Sequence, residues 1–137
     1  MSDYFKDYFS LIDEKSKSIG YKELILASEL AENANKNGGK IIIVGNGGSA
    51  AIASHASIDF TKAAGMRSIS FNESSLLTCF SNDYGYENWV ARALEFYADK
   101  NDMVFLISSS GQSKNITNGV RQAKEMGLSI VTLSGFS

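Results

Sequence analysis

The chain has 137 residues, enough for one domain and too few for two of ordinary size. Its 44% hydrophobic and 20% charged residues are typical of a globular domain, and a formal net charge of −2 gives no reason to expect nucleic acid or an acidic membrane surface as a partner. No apolar run approaches the roughly 18 residues of a membrane-spanning helix, and the N-terminus lacks a signal peptide's basic and apolar regions. The single cysteine, Cys79, excludes an internal disulfide and is expected to be buried beside apolar neighbours. Together these features predict a cytoplasmic protein.

Two helices are predicted first, over about 3–19 and about 21–37, and the run Asn37-Gly38-Gly39 ends the second. The first helix carries an aromatic and aliphatic stripe at helical spacing, formed by Phe5, Tyr8, Phe9, Ile12 and Ile19. Such a stripe needs an apolar surface to cover it, and either the core of the domain or a partner subunit would serve.

The rest of the chain alternates between predicted strands and helices. The strands cover 40–44, 67–71, 103–107 and 128–133; the helices cover 49–63, about 73–81, 86–98 and 114–126, with a loop over 81–85. The longer strands are continuously apolar, as expected for parallel strands covered on both faces. This alternation predicts an α/β fold, a doubly wound parallel sheet with right-handed crossovers and helices on both faces.

The end of the chain is unusual for that fold, because Ser134-Gly-Phe-Ser137 follows the fourth strand without a further helix. A doubly wound sheet of this size usually has five strands. Either a neighbouring chain covers this edge or the sequence is the front part of a longer protein, and we favour the second interpretation.

Two turns at the ends of predicted strands are candidate ligand sites. Gly45-Asn46-Gly47-Gly48-Ser49 opens one helix, and the turn over 108–113 opens another with four serines in six residues. One serine would serve as a helix cap, but four are more than a cap requires, and helix N-termini bind anions through free N–H groups. The first turn also fits the degenerate dinucleotide fingerprint, with Glu73 as a candidate ribose ligand. The pairing of two such turns at strand ends favours a sugar phosphate instead.

Three further residues are chemically suggestive without being decisive. His55 and Asp59 lie four residues apart on a predicted helix, so their side chains share one face and suit a metal or an acid–base pair. From spacing alone, however, a surface ion pair is the better interpretation. Asp83, in the predicted loop, is more typical of a turn than of a catalytic site.

In order and spacing, these motifs resemble those of the sugar isomerase (SIS) domain family, and within it the phosphoheptose isomerases. The resemblance covers about residue 20 to the end of the chain and rests on Gly45–Ser49, His55, Asn82–Gly85 and Ser108–Ser113. It implies a flavodoxin-like sheet and a homotetramer or dimer that shares its sites between subunits, with the N-terminal helices used in assembly. It also implies heptose synthesis for lipopolysaccharide or capsule.

The resemblance assigns roles position by position. The substrate would contact Asn46, Gly47, Gly48, Ser49, Asn82 and Asp83, and its phosphate would lie against Ser108, Ser109, Ser110 and Ser113. His55, Asp59 and Asp83 are the candidate catalytic residues, and His55 and Asp59 are the candidate zinc ligands. The family has a glutamate where this chain has Asp59, and the glutamine and histidine that follow later in the family would lie beyond Ser137.

The main hypothesis is therefore an aldose–ketose isomerase of sedoheptulose 7-phosphate that acts through an enediol. The first alternative is a non-catalytic SIS-domain protein of the type that associates with the bacterial replication initiator, which the shorter carboxylate of Asp59 would favour. A nucleotide-binding domain is the second alternative.

Overall fold

Alternating apolar strands and helices build one parallel sheet with helices on both faces. The computed structural model describes residues 2–135. Along the chain lie α1 (Ser2–Lys17), α2 (Tyr21–Lys36), β1 (Ile41–Gly45), α3 (Gly48–Lys62), β2 (Ser68–Ser70), α4 (Ser74–Tyr84), α5 (Trp89–Tyr97), β3 (Met103–Ile107), α6 (Lys114–Glu125) and β4 (Ser129–Leu133). Met1, and Phe136 and Ser137 of the segment predicted to follow the fourth strand, lie outside the described residues.

The four strands are all parallel and run in the order β2-β1-β3-β4. β1 and β3 pair along their whole length, from Ile41 opposite Met103 to Gly45 opposite Ile107. This order confirms the predicted flavodoxin-like doubly wound sheet, because the chain winds outward from the centre in both directions.

Side chains alternate between the two faces of the central strands and form two apolar cores. Ile42, Val44 and the even-numbered positions of β3 pack against α5 and α6, with Trp89 fully buried among them. Ile41 and Ile43 pack on the other face against small residues of α2 and α3. Each face of the sheet is therefore covered, which explains why these strands are continuously apolar.

A buried ion pair joins the amino ends of the two central strands. Asp102, which is fully buried, accepts hydrogen bonds from the Lys40 ammonium at 2.5 Å, from the Lys40 backbone N–H at 2.8 Å and from the Asp99 N–H at 2.8 Å. Burial disfavours the Lys40 ammonium, but hydrogen bonds to Asp102 and Asp99 outweigh it and raise the pKa of this lysine. This contact sets the register with which β1 and β3 begin.

The fourth helix corrects two expectations. It continues to Tyr84, so Asn82 and Asp83 lie in its last turn and not in a loop. Helical geometry persists to Gly85, whose φ of 83° ends it. Cys79 is exposed, not buried, because it lies on the outer face of this helix with its sulfur 3.8 Å from an Asp83 carboxylate oxygen.

The stripe on α1 is not covered by the core of the domain. Tyr4, Phe5, Tyr8 and Phe9 are each more than half exposed and contact mainly one another, as in the stacked rings of Tyr4 and Tyr8. Of the two surfaces expected to cover this stripe, the domain's own core is therefore excluded. Among residues 2–135, no helix combines the length and the apolar character needed to cross a membrane.

Candidate functional site

The strand order brings the two predicted turns to the same edge of the sheet. β1 leads to β2 on one side and β3 leads to β4 on the other, so the crossovers diverge between β1 and β3. Ligands of doubly wound sheets bind at the carboxyl ends of the strands at such a point. Gly45 is paired with Ile107 there, which places the turn over 46–49 beside the turn over 108–113, as the sequence predicted.

Glycines allow the first turn to be as tight as it is. A Cβ on Gly45 would lie 2.5 Å from the backbone of Ser49, so no larger residue fits without moving the turn. Gly47, which precedes α3, has φ 54° and ψ −121°, a backbone conformation that L side chains rarely adopt. Asn72 braces this turn, donating to the carbonyl of Gly45 at 2.8 Å and accepting from its N–H at 3.1 Å.

The serines of the second turn do not cap the helix that follows. Ser113 stands at the N-cap position of α6 without a side-chain capping bond, and its hydroxyl lies 3.2 Å from that of buried Ser108. Ser110 accepts from the N–H of Gln112 at 3.2 Å, and Ser109 and Ser110 are exposed. The simple capping interpretation is thus wrong, and the first N–H groups of α6 are left available to an anion.

Three side chains that the sequence analysis did not assign to the site connect to these turns. The amides of Asn46 and Asn115 bond reciprocally at 2.9 and 2.8 Å, which ties the glycine turn over 46–49 to the N-terminal end of helix α6. The Tyr86 hydroxyl donates to the same Asn46 oxygen at 3.0 Å. Like Asn72, each is a polar side chain close to a strand end or a helix start. This position is the one sequence feature that could have indicated that these residues belong to the site.

His55 and Asp59 share one face of α3, as their spacing predicted. His55 Nε2 lies 3.6 Å from Asp59 Oδ2, and the two side chains are 77% and 63% exposed. Helical rise places Asp59 about 16 Å along α3 from Gly48, so Asp59 is well separated from the turn over 46–49 of its own chain. Within residues 2–135 no group of three or more His, Cys, Asp or Glu side chains is arranged to hold a metal ion.

Among residues 2–135, the remaining candidates make no hydrogen bond to either turn. Asn82 donates to Asp83 at 2.9 Å, and both are exposed at the end of α4, ahead of the segment that carries Tyr86. Glu73 caps α4 by accepting from the N–H of Leu76 at 2.9 Å, and backbone hydrogen bonds from Ser75 and Leu76 lower the pKa of Glu73. Its carboxylate serves the helix, so it gives the dinucleotide interpretation no support.

A cavity of about 210 Å³ lies beside the serine turn, between β3, β4 and α6. Its lining combines apolar side chains with Ser108, Thr117, Thr132 and Ser134. Hydroxyl groups therefore border the turn on the side of β4 as well.

A parallel sheet with glycine-rich and serine-rich turns paired at its switch point defines the chain as a doubly wound α/β domain of the flavodoxin-like type. A family model described as the SIS domain matches residues 3–135. The chain belongs to the SIS domain family.

Relatives and solved structures agree with that assignment. The chain is 42% identical over 106 residues to a phosphoheptose isomerase of Helicobacter pylori (strain HPAG1), covering 73% of this chain and 55% of the relative. It is 39% identical over 114 residues to a phosphoheptose isomerase of Glaesserella parasuis (serovar 5, strain SH0165), covering 80% and 59%. The chain thus spans somewhat more than half the length of these relatives.

Two solved structures share the fold. A phosphoheptose isomerase from Neisseria gonorrhoeae superimposes with a TM-score of 0.84 at 28% identity, covering 97% of this chain and 72% of that one. One from Francisella tularensis gives 0.88 at 23% identity, covering 99% and 74%.

Proposed function

We propose that the chain is a phosphosugar aldose–ketose isomerase that interconverts sedoheptulose 7-phosphate and its aldose isomer. The observation that carries this proposal is the juxtaposition of the two turns at the switch point of the sheet. The relatives named phosphoheptose isomerase support the choice of a seven-carbon sugar. A cytoplasmic location and heptose synthesis for lipopolysaccharide or capsule belong to the same proposal.

In this proposal the serine turn binds the phosphate group. Exposed Ser109 and Ser110, together with the uncapped N-terminus of α6, offer hydroxyl and backbone N–H donors to phosphate oxygens. Ser108 and Ser113 bond to each other and hold the turn in shape. Asn46, Gly47, Gly48 and Ser49, with Asn82 and Asp83, would then contact the sugar.

The chemical step requires a base next to the carbonyl of the open-chain sugar. A carboxylate, assigned to Asp59, takes a proton from the carbon beside the carbonyl, an enediol forms, and the proton returns to the neighbouring carbon. Because Asp59 lies about 16 Å along α3 from the first turn of its own chain, we place the Asp59 that acts on a given sugar on a second copy of the chain. The uncovered aromatic stripe of α1 supports such a homodimer or homotetramer.

These residues supply too few ligands for the zinc ion that the family resemblance implied. His55 and Asp59 supply two ligands, whereas zinc sites in proteins take three or four protein ligands.

The test is turnover by the intact chain. Sedoheptulose 7-phosphate is incubated with the protein, with and without added zinc, and the aldose product is quantified. Interconversion is expected, and its absence under both conditions would contradict the isomerase proposal. Asp59→Glu lengthens the carboxylate by one methylene and should speed the reaction, while the matched Asp59→Asn, which cannot accept the proton, should abolish it.

The same variants separate the isomerase from a non-catalytic binding protein of the replication-initiator-associating type. Such a protein would bind the sugar phosphate without turning it over, and Asp59→Glu would not change that result.

A further inference from the structure

On the basis of the proposed function, we propose that Asn115 and Tyr86 are positioning residues, which fix the Asn46 amide as a hydrogen-bond donor to an oxygen atom of the bound sugar. Neither residue belongs to the motifs that identified the site. Both act through Asn46, the first residue after β1.

Three hydrogen bonds hold the Asn46 amide. Asn46 Nδ2 donates to Asn115 Oδ1 at 2.9 Å, and Asn115 Nδ2 donates to Asn46 Oδ1 at 2.8 Å. The Tyr86 hydroxyl donates to that same Oδ1 at 3.0 Å. The three side chains come from the turn after β1, the segment between α4 and α5, and the first turn of α6, so the network joins three separate parts of the chain.

Counting donors and acceptors shows what Asn46 has left for a ligand. A side-chain amide has two acceptor lone pairs and two N–H donors. Asn115 and Tyr86 occupy both lone pairs of Oδ1, and Asn115 uses one N–H. Among residues 2–135, nothing bonds the second N–H of Nδ2. Asn46 can therefore donate one hydrogen bond to a ligand but can accept none. This suits a carbonyl or alkoxide oxygen, which accepts, and does not suit a hydroxyl group that donates.

This restriction matches the chemistry of the proposed reaction. As a proton leaves the carbon beside the carbonyl, negative charge accumulates on the carbonyl oxygen. A donor already oriented toward that oxygen stabilises the charge without reorganising during the reaction. Asn115 is 2% exposed, so its amide is buried, and burying it without the Asn46 partner would be unfavourable.

Tyr86→Phe is the primary test because it removes only the phenolic oxygen from a side chain that is 51% exposed. Tyr97→Phe is the matched control: Tyr97 is 49% exposed, and its hydroxyl makes no hydrogen bond among the described residues. We expect Tyr86→Phe to lower kcat about 3- to 10-fold, the loss typical of one hydrogen bond. KM and the affinity for inorganic phosphate should stay near wild type, and Tyr97→Phe should leave all three unchanged. Asn115→Leu, which removes both bonds of the amide pair, should lower kcat further.

A double-mutant cycle tests whether Tyr86 acts through Asn46. In an Asn46→Ala background, Tyr86→Phe should change kcat by less than about 2-fold, because the group that it orients has been removed. An equal effect in both backgrounds would overturn the proposal, as would a Tyr86→Phe protein with wild-type kcat.

Failure of the proposed function gives a different result. If wild-type protein neither binds nor isomerises sedoheptulose 7-phosphate, the isomerase proposal fails and the role of Asn46 toward a sugar fails with it. If the wild type isomerises sedoheptulose 7-phosphate and the Tyr86 and Asn115 variants keep the wild-type kcat, the isomerase proposal stands and the positioning role is refuted.

Discussion

Two adjacent glycines allow backbone strain to be separated from ligand contact. A Cβ on Gly47 or on Gly48 would meet nothing within 4 Å, so alanine causes no steric clash at either position. Only Gly47 has a positive φ, 54° with ψ −121°, whereas Gly48 begins α3. Forcing alanine into the Gly47 conformation costs about 1–3 kcal/mol, while at Gly48 the loss of unfolded-chain freedom stabilises the protein by about 0.4–1 kcal/mol.

Urea unfolding followed by the fluorescence of Trp89 measures this difference. Trp89 is the single tryptophan and is fully buried, so its emission reports the loss of the core. Gly47→Ala should lower the urea midpoint by about 1 M, and Gly48→Ala should leave it unchanged or raise it. Both variants should bind sedoheptulose 7-phosphate more weakly, Gly48→Ala because its methyl group stands where the sugar would lie. Equal midpoints for the two variants would refute the assignment of strain to Gly47.

Three other variants test features away from this turn. Asp102→Ala should destabilise the domain by about 3–5 kcal/mol in urea unfolding, because it leaves the Lys40 ammonium and two backbone N–H groups without their buried partner; a loss below about 1 kcal/mol would show that this contact is dispensable. Glu73→Ala should lower stability at pH 7 but not in acid: the folded pKa of Glu73 is lowered, so its contribution is present above its ordinary pKa and is lost as the pH falls through the folded value. A wild-type advantage that is constant between pH 7 and pH 3 would contradict this. Ser110→Ala should weaken the binding of inorganic phosphate about 3- to 10-fold by calorimetry, and an unchanged affinity would place the phosphate elsewhere.

The elements of the fold are predictable here because local and long-range preferences agree. Continuous apolar runs such as Ile41–Val44 become buried parallel strands, and the glycine and serine turns lie at their carboxyl ends as expected. The prediction of a loop over 81–85 was wrong, because the polar composition of this segment suits the end of a helix as well as a loop. That distinction depends on the Glu73 cap and on Gly85, which lie at opposite ends of α4.

Side chains that brace the site were harder to predict from sequence. Asn72, Tyr86 and Asn115 belong to no recognisable motif. Asn72 reaches the glycine turn because β1 pairs with β2, and Asn115 reaches it because β1 pairs with β3, across 62 residues of sequence. Asparagine and tyrosine are common in ordinary turns and surfaces, so spacing alone carries no signal for them. His55 and Asp59 share a helical face as predicted, and the rise of the predicted helix already separates Asp59 from the glycine turn of the same chain.

The central position of β1 determines when this domain can fold during synthesis. β1 emerges early, yet its neighbours on the two sides are β2 and the much later β3, so one of its edges has no partner until about residue 107 has been added. A nascent chain that stops before β3 would present an unpaired edge of Ile41, Ile42 and Ile43, the kind of exposed strand that promotes aggregation. β3 must therefore have emerged from the ribosome before the hydrophobic centre of the domain can close. Slow elongation ahead of β3 would prolong the interval in which the nascent chain is prone to aggregate.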